Sequence, residues 1–361
     1  MGLFILRRLG VMILTALCLT FIVFFLTNLY PNLEKLAKTQ GEMRMSDEQV
    51  ERWLANRGYD QPLPIKYGEW LGVWPSKIIN TDDGRTYGRC IESGVAIEDT
   101  PRFCGVIQGD WGFSSVFKND VADIIATRLS LTGKLMFWVM ILMIPSALLI
   151  GVLAGMREGS RTDRSLSTLS IATTATPEYV SGVIFIALFA ASASPLNQWL
   201  ASMDWIEGRT LFKGTATSAM ENANFNNFFL PVLTISLYGM GYIARMTRAS
   251  MAEVMTAQYI RTARLKGVSF PNIVVKHALR NALIAPFTVI MLQIPWLLNG
   301  VVIVETLFNY KGFGWVLVQA AGNNDIELLL GVSVVSVIVV LITQLISDIG
   351  YVYLNPRISV T

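Results

Sequence analysis

Four stretches of this chain, 9–29, 135–156, 281–304 and 328–347, hold no charged side chain. A fifth apolar stretch, 228–244, is shorter, and a sixth, 169–193, is interrupted only by Glu178. A helix that crosses about 30 Å of hydrocarbon at roughly 1.5 Å per residue needs about 20 apolar residues. The pattern therefore predicts six transmembrane helices, with a polar segment, 30–134, between the first and the second. The first stretch follows "LRRLG" as a secretory signal would, but its apolar run exceeds the roughly 7 to 15 residues of a signal core. No small-residue cleavage site follows, so a retained anchor is expected.

Composition agrees with the pattern. Of 361 residues, 53% are hydrophobic and 15% charged, with a mean hydropathy of +0.48, against about one quarter charged in soluble domains. Lys and Arg in short loops set orientation. With the N-terminus inside, the inner segments carry Arg7, Arg8, Arg157, Arg161, Arg164, seven basic residues from Arg245 to Arg280, and Arg357. The short outer loops carry only Arg209, Lys213 and Lys311. Thirteen against three predicts both termini in the cytoplasm, and the net charge of +3 then needs no nucleic-acid partner.

The polar segment is thereby expected outside. Its Cys90 and Cys104 suit a disulfide in an oxidising compartment, with two unrelated thiols as the alternative. Cys18, within the first apolar run, reads as a small packed residue. In "EQVERWLANRGYDQPLPIKYGEWLG" a helix is expected to stop at Gly58, in a left-handed position, with "QPLP" extended after it. Trp70 and Trp74 fit either the membrane interface or the interior of the outer segment.

The third inner loop contains "YIRTARLKGVSFPNIVVKHALRNAL", with five Arg and Lys and no acid. No proline or glycine occurs from Met251 to Lys266, which predicts helix. Gly267 can then take a left-handed cap, and Ser269 or Asn272 can start a second helix with Pro271 in its first turn. Tyr259, Ala263 and Gly267 recur every four residues and are expected to form one low face for a partner. Arg261, Arg264 and Lys266 lie beside it as a charged rim. The alternative is charge that sets topology and meets no partner.

This stretch resembles the coupling segment of ABC importer permeases of the dipeptide, oligopeptide and nickel family. Arg261, Thr262 and Ala263 occupy the positions of the family's "EAA" motif and Gly267 that of its glycine. "GYDQPLPIKYGEWLG", "GDWGFS", "DVADIIATRLSLTGKL", "TPEYVSGVIFI", "VVIVETLFNYKGFGWVLVQA" and "SDIGYVYLNPRIS" resemble further family motifs in family order. Two departures stand out: residues 73–106 form an insertion that carries both outer cysteines, and Lys311 replaces a common proline. The resemblance implies an all-α membrane protein of the type I importer kind, with six transmembrane helices and a mixed outer segment after the first. It implies four regions: 1–29, 30–134, 135–350 with the coupling loop 245–282, and a C-terminus at 351–361. The implied partners are a homologous second permease subunit, two cytoplasmic ATPase subunits that bind ATP and Mg, a periplasmic solute-binding protein and membrane lipid. The implied location is the bacterial inner membrane.

No "GxxxxGK[ST]" phosphate loop occurs, so ATP hydrolysis is expected in the partners and no cofactor on this chain. The single histidine, His277, reads as a packing or hydrogen-bonding residue, and no Cys/His cluster suggests a metal or a catalytic site. Glu178 and Glu305 are the intramembrane polar candidates, because an ionisable group in a bilayer is costly. For Glu178 an internal hydrogen bond that fixes a bend after Pro177 is the preferred reading over a transport role. Glu305 suits the outer gate or the interface. An ion-coupled transporter would need more buried carboxylates, and a membrane enzyme a nucleophile and base. The resemblance implies short peptides as cargo, with opines, oligosaccharides or nickel chelates as alternatives.

Overall fold

The computed structural model describes residues 2–81, 84, 86–91, 97, 100–206 and 208–354. Its helices are α1 Gly2–Thr27, α2 Tyr30–Gln40, α3 Asp47–Ala55, α4 Leu63–Leu71, α5 Val121–Gly155, α6 Arg161–Ala175, α7 Glu178–Phe185 and α8 Pro195–Ser202. They continue with α9 Phe225–Met255, α10 Gln258–Leu265, α11 Phe270–Asn272, α12 Leu279–Ala282, α13 Ile284–Leu307, α14 Phe313–Gly322 and α15 Ile326–Leu354. Five segments are long and apolar enough to span a membrane: Leu6–Thr27, Val121–Gly155, Glu178–Ser202, Phe225–Met255 and Ile326–Gly350. The pair Phe270–Ala282 and Ile284–Ile294, bent by 52°, supplies a sixth. The chain is an all-α, multi-pass membrane protein.

Several spans differ from the expected boundaries: the second begins at Val121 and not at 135, and the fourth runs on to Met255 and not to 244. The third begins at Glu178, because Thr176 is extended (φ −89, ψ 120) and Pro177 cannot continue the helix. The fifth is bent at Leu283 instead of running straight from 281.

The chain divides into two compact units: an N-terminal unit of Gly2–Arg128 and Val316–Ile338, and a central unit of Leu129–Trp315 with the chain from Val339 onward. The boundaries between these units fall inside helices.

The N-terminal unit is built on large side chains. Phe24, Leu36, Val50, Trp53 and Trp70 are buried with Ile326, Leu330 and Val334. Tyr67 meets Phe24 at 5.4 Å and Trp70 at 5.9 Å between ring centres. α3 starts at a capping box, in which Ser46 Oγ accepts from Gln49 N and Gln49 Oε1 accepts from Ser46 N. Gly58 sits at φ +78 soon after that helix ends. "QPLP" is only partly extended, because Pro64 lies in the first turn of α4, where no N–H is missed.

Cys90 and Cys104 are joined by a disulfide, with Cα atoms 5.5 Å apart. The adjacent Arg89 lies 3.4 Å from both Asp110 Oδ2 and Glu327 Oε2. Asp325, 2% exposed, accepts from Ser114 Oγ at 2.6 Å and from Val116 N at 3.1 Å, just before α15. Among the described residues the strands are β1 Ile79–Asn80 and β2 Thr86–Tyr87, paired antiparallel within the insertion. Residues 82, 83, 85, 92–96, 98 and 99 of the insertion lie outside the described residues. Trp70 is buried and Trp74 is exposed, so the two rings part company. Cys18 is exposed on α1, contrary to the packed reading.

The central unit is built on small residues. α5 carries Gly151 and Gly155 one turn apart, against Thr247, Arg248 and Met251 of α9. A Cβ at Gly155 would lie 2.5 Å from the Arg248 carbonyl oxygen, so two backbones meet where side chains are absent. Hydroxyls of Thr234, Ser236 and Thr247 return their protons to carbonyls one turn back in α9. This leaves the buried helix face without unmet donors. α9 starts at a second capping box, made by Asn224 and Asn227.

Candidate functional site

The basic stretch folds into a two-limbed hairpin. Its first limb is α10, its turn is Gly267 at φ +73, and its second limb runs through α11, a π-helical stretch Ile273–Ala278 and α12. The left-handed turn, the start of the second limb at Ser269 and the placing of Pro271 in its first turn match the expected grammar, although Ser269 makes no side-chain cap bond. The expected helix from Met251 to Lys266 is broken: α9 ends at Met255, Thr256 Oγ1 donates to Glu253 O at 2.7 Å, and Ala257 is extended.

A cluster of Met251, Met255, Ile260, Ala263, Ile273, Val274, Ala278 and Ala282, each 9% exposed or less, holds the limbs together and against the end of α9. Ala263 therefore points inward, which corrects the expected low face of Tyr259, Ala263 and Gly267. Its small size serves the close approach of the limbs. Tyr259 is half-exposed, and its hydroxyl accepts from Asn281 Nδ2 at 2.9 Å, a second tie between the limbs. Gly267 has open space where a Cβ would stand.

The outward face carries Arg261, Arg264 and Lys266, all exposed, with Leu265 82% and Val275 61% exposed. Those two aliphatic side chains escaped the sequence reading, which followed charge and small residues. Isolated exposed apolar residues are ordinary, but here two stand on one short hairpin among basic side chains. His277 is exposed, not packed, because the π-helical stretch turns it away from the cluster.

A second feature that sequence reading missed lies between α5 and α9. Arg248 Nε and Nη2 donate to the two oxygens of Asp163 at 2.8 Å each, a bidentate pair. Asp163, 3% exposed, also accepts from Gly159 N and Ser167 Oγ. Hydrogen bonding by the Arg248 guanidinium, helped by these donors, holds its carboxyl well below the usual carboxylate range. Ser160 caps α6 by accepting from Asp163 N, so "SRTD" was a readable helix start, although its partner 85 residues away was not. Arg157 lies 5.1 Å from the centre of the Phe270 ring on the hairpin, a cation–π contact.

The two intramembrane acids have different surroundings. Glu305 is fully buried; it accepts from Thr132 Oγ1 and from Trp315 N at 2.9 Å, while Phe313 N donates to Thr132 Oγ1. A Cβ at Gly312 would overlap the Glu305 carboxylate, so the glycine of "NYKGFG" makes room for it. Glu305 thus fixes the loop after α13, which corrects its reading as a gate or interface residue. Glu178 is 9% exposed and its Oε1 has no hydrogen-bond partner. Among the described residues no hydrogen bond from Glu178 fixes the bend, and the break rests on Thr176 and Pro177.

A further cavity of about 430 Å³ in the central unit is lined by Lys134, Trp138, Phe225, Phe228 and Phe229, among others. It offers aromatic walls and one cation. Among the described residues no group of three or more His, Cys, Asp or Glu is placed to hold a metal.

The comparisons with known proteins agree with this architecture. The chain is 31% identical over 363 residues to the di/tripeptide transport system permease protein DppB of Pseudomonas aeruginosa, covering 98% of each. It is 28% identical over 366 residues to the dipeptide transport system permease protein DppB of Escherichia coli K12, again over 98% of each. A putative peptide permease of Brucella ovis is 28% identical over 96% of this chain and 95% of its own. The family model described as binding-protein-dependent transport system inner membrane component matches residues 147–360, which include the hairpin, both acids and the Asp163–Arg248 pair, and the chain belongs to that family.

Proposed function

We propose that this chain is one of two permease subunits of an ATP-driven importer and that it carries short peptides handed over by a solute-binding protein. The peptide assignment is supported by the names of the relatives matched over nearly the full length. A homologous permease would complete the pathway, and two ATPase subunits would bind ATP and Mg and hydrolyse the ATP. The N-terminus, the hairpin and the residues from 355 onward would then be cytoplasmic, with 30–134 on the periplasmic side.

One observation carries the mechanism: the hairpin is tied to the ends of two different spans. Its first limb follows α9 directly and its second leads into α13, while Ser250 Oγ on α9 donates to Ala282 O at 2.8 Å. A rigid element fixed to two spans passes displacement to both, as in rigid-body switching at subunit interfaces. Tyr259, Leu265, Val275 and Gly267 form the contact surface for the ATPase, and Arg261, Arg264 and Lys266 pair with acidic groups around it. Ala263 supports this surface from behind. The apolar residues supply burial, and the charges steer and register the partner.

The deciding experiment is reconstitution of both permeases and both ATPases in vesicles, with the binding protein and a labelled dipeptide outside. Uptake should require enclosed ATP. Uptake driven by a proton or sodium gradient without the ATPases would refute the proposal.

A further inference from the structure

The N-terminal unit contains a cavity of about 260 Å³, lined by Arg57, Lys66, Glu69, Trp70, Arg89 and Glu327 among others. Its charged groups are unevenly matched. Arg89 forms ion pairs with Asp110 and Glu327, yet its buried Nε has no hydrogen-bond partner. Lys66 and Glu69, three residues apart on α4, do not pair with each other. Lys66 Nζ instead donates to Asn28 Oδ1 at 3.2 Å and to Tyr59 O at 3.0 Å, which leaves its third proton without an acceptor. Arg57 is sandwiched between the rings of Trp53, 3.9 Å away, and Tyr87, 4.5 Å away. Its one hydrogen bond goes to the Tyr87 hydroxyl at 3.4 Å.

Trp70 is 3% exposed, and its buried indole Nε1–H has no acceptor. Burial without a partner disfavours such a donor, and native proteins seldom leave one unmet. Glu69 accepts only from Lys77 N and the Gln61 side chain, with no cation at ion-pair distance. Burial pushes its carboxyl up, against Lys77 and Arg89 nearby, and pushes the Lys66 ammonium down, against Asp60.

Lys66, Glu69 and Trp70 share one face of α4 by their i, i+3, i+4 spacing. That face sets two donors beside one acceptor with the cavity in front. We infer that this cavity binds a small zwitterion, a free amino acid or a very short peptide. Its carboxylate is held by Lys66, Trp70 Nε1 and Arg57, and its ammonium faces Glu69. A carboxylate offers about four acceptor sites and makes charge-assisted bonds, which suits this surplus of donors. The inference goes beyond the transport proposal, because the site belongs to the permease chain itself and is read by binding alone.

The test uses the complete permease–ATPase complex, purified without solute-binding protein and without ATP, in equilibrium dialysis against labelled glycine and labelled dialanine. One or both should bind saturably, one per copy of this chain, and which of them binds identifies the source. N-acetyl-dialanine and dialanine amide, each lacking one charge, should bind about tenfold or more weakly. Lys66→Met should weaken binding by a similar factor, with Lys66→Arg restoring most of it. Trp70→Phe should weaken it several-fold, and Glu69→Gln should abolish the preference for dialanine over its N-acetyl form. Retention of the Cys90–Cys104 disulfide and an unchanged melting temperature identify the variants that fold. If Trp70→Phe does not fold, Lys66→Met decides. No saturable binding up to about 10 mM, or equal binding by wild type and Lys66→Met, would overturn the inference.

Discussion

The N-terminal and central units solve the same problem, the burial of helices, with opposite materials. The first uses bulk and specific ties: Trp53, Trp70 and Phe24 in the core, a disulfide at Cys90–Cys104, and Arg89 held between two carboxylates. The second uses the absence of side chains, at Gly151 and Gly155, so that α5 and α9 approach backbone to backbone. The difference teaches where each unit is vulnerable. Removing atoms injures the first, and adding atoms injures the second.

That contrast can be broken in several ways. Trp70→Ala empties a position that is 3% exposed and should cost about 4 kcal/mol, measured as early proteolysis confined to the N-terminal unit. Cys90→Ser with Cys104→Ser should cost about 3 kcal/mol by loop entropy, and a reductant should reproduce it in wild type while leaving the Gly155 contact untouched. In the central unit, Gly155→Leu should cost about 2 to 3 kcal/mol through overpacking against Arg248 O and Met251. Loss of a monodisperse detergent-solubilised complex would report it, whereas a well-tolerated leucine would remove the basis of the contrast.

Smaller effects sharpen it. Asp163→Asn keeps the shape but weakens charge-assisted bonds from Arg248 and should cost about 2 kcal/mol. The sign of the pH dependence follows from the depressed acidity of Asp163. Its stabilisation is full above the unfolded value of about 4 and is lost as pH falls below it toward the folded value. Melting curves between neutral and acidic pH should therefore converge for wild type and Asp163→Asn. Leu265→Asp, at an exposed position, should change stability by less than about 0.5 kcal/mol, yet it should sharply reduce ATP-driven uptake and retention of the ATPases. Gly267→Arg should act similarly, with about 1 kcal/mol of backbone strain at its positive φ.

What could be read from sequence was what local chemistry decides. Apolar length marked the spans, and the positive φ of Gly58 and Gly267 fell where glycine alone sits comfortably. What could not be read was set by distant neighbours. Ala263 is equally consistent with an outward and an inward small residue until Ile260 and Ile273 are seen to close over it. Glu305 looked like a charge in search of water, and only Thr132, 173 residues away, and the backbone of Trp315 show it to be a fastener. Arg248 counted as topology charge, although its partner is Asp163 on another helix. Within the candidate site, the charged rim was legible because charge is visible in any sequence. The aliphatic contact residues Leu265 and Val275 were hidden among many others of their kind.

The bond from Ser250 to the carbonyl of Ala282 has a mechanical meaning. It engages an acceptor just ahead of the 52° bend, where a loose elbow would otherwise form. With that carbonyl pinned to α9, the bend behaves as a bell crank and not as a hinge. Under the proposed coupling, a displacement of the hairpin would pass to α13 with this bond resisting flexure at Leu283.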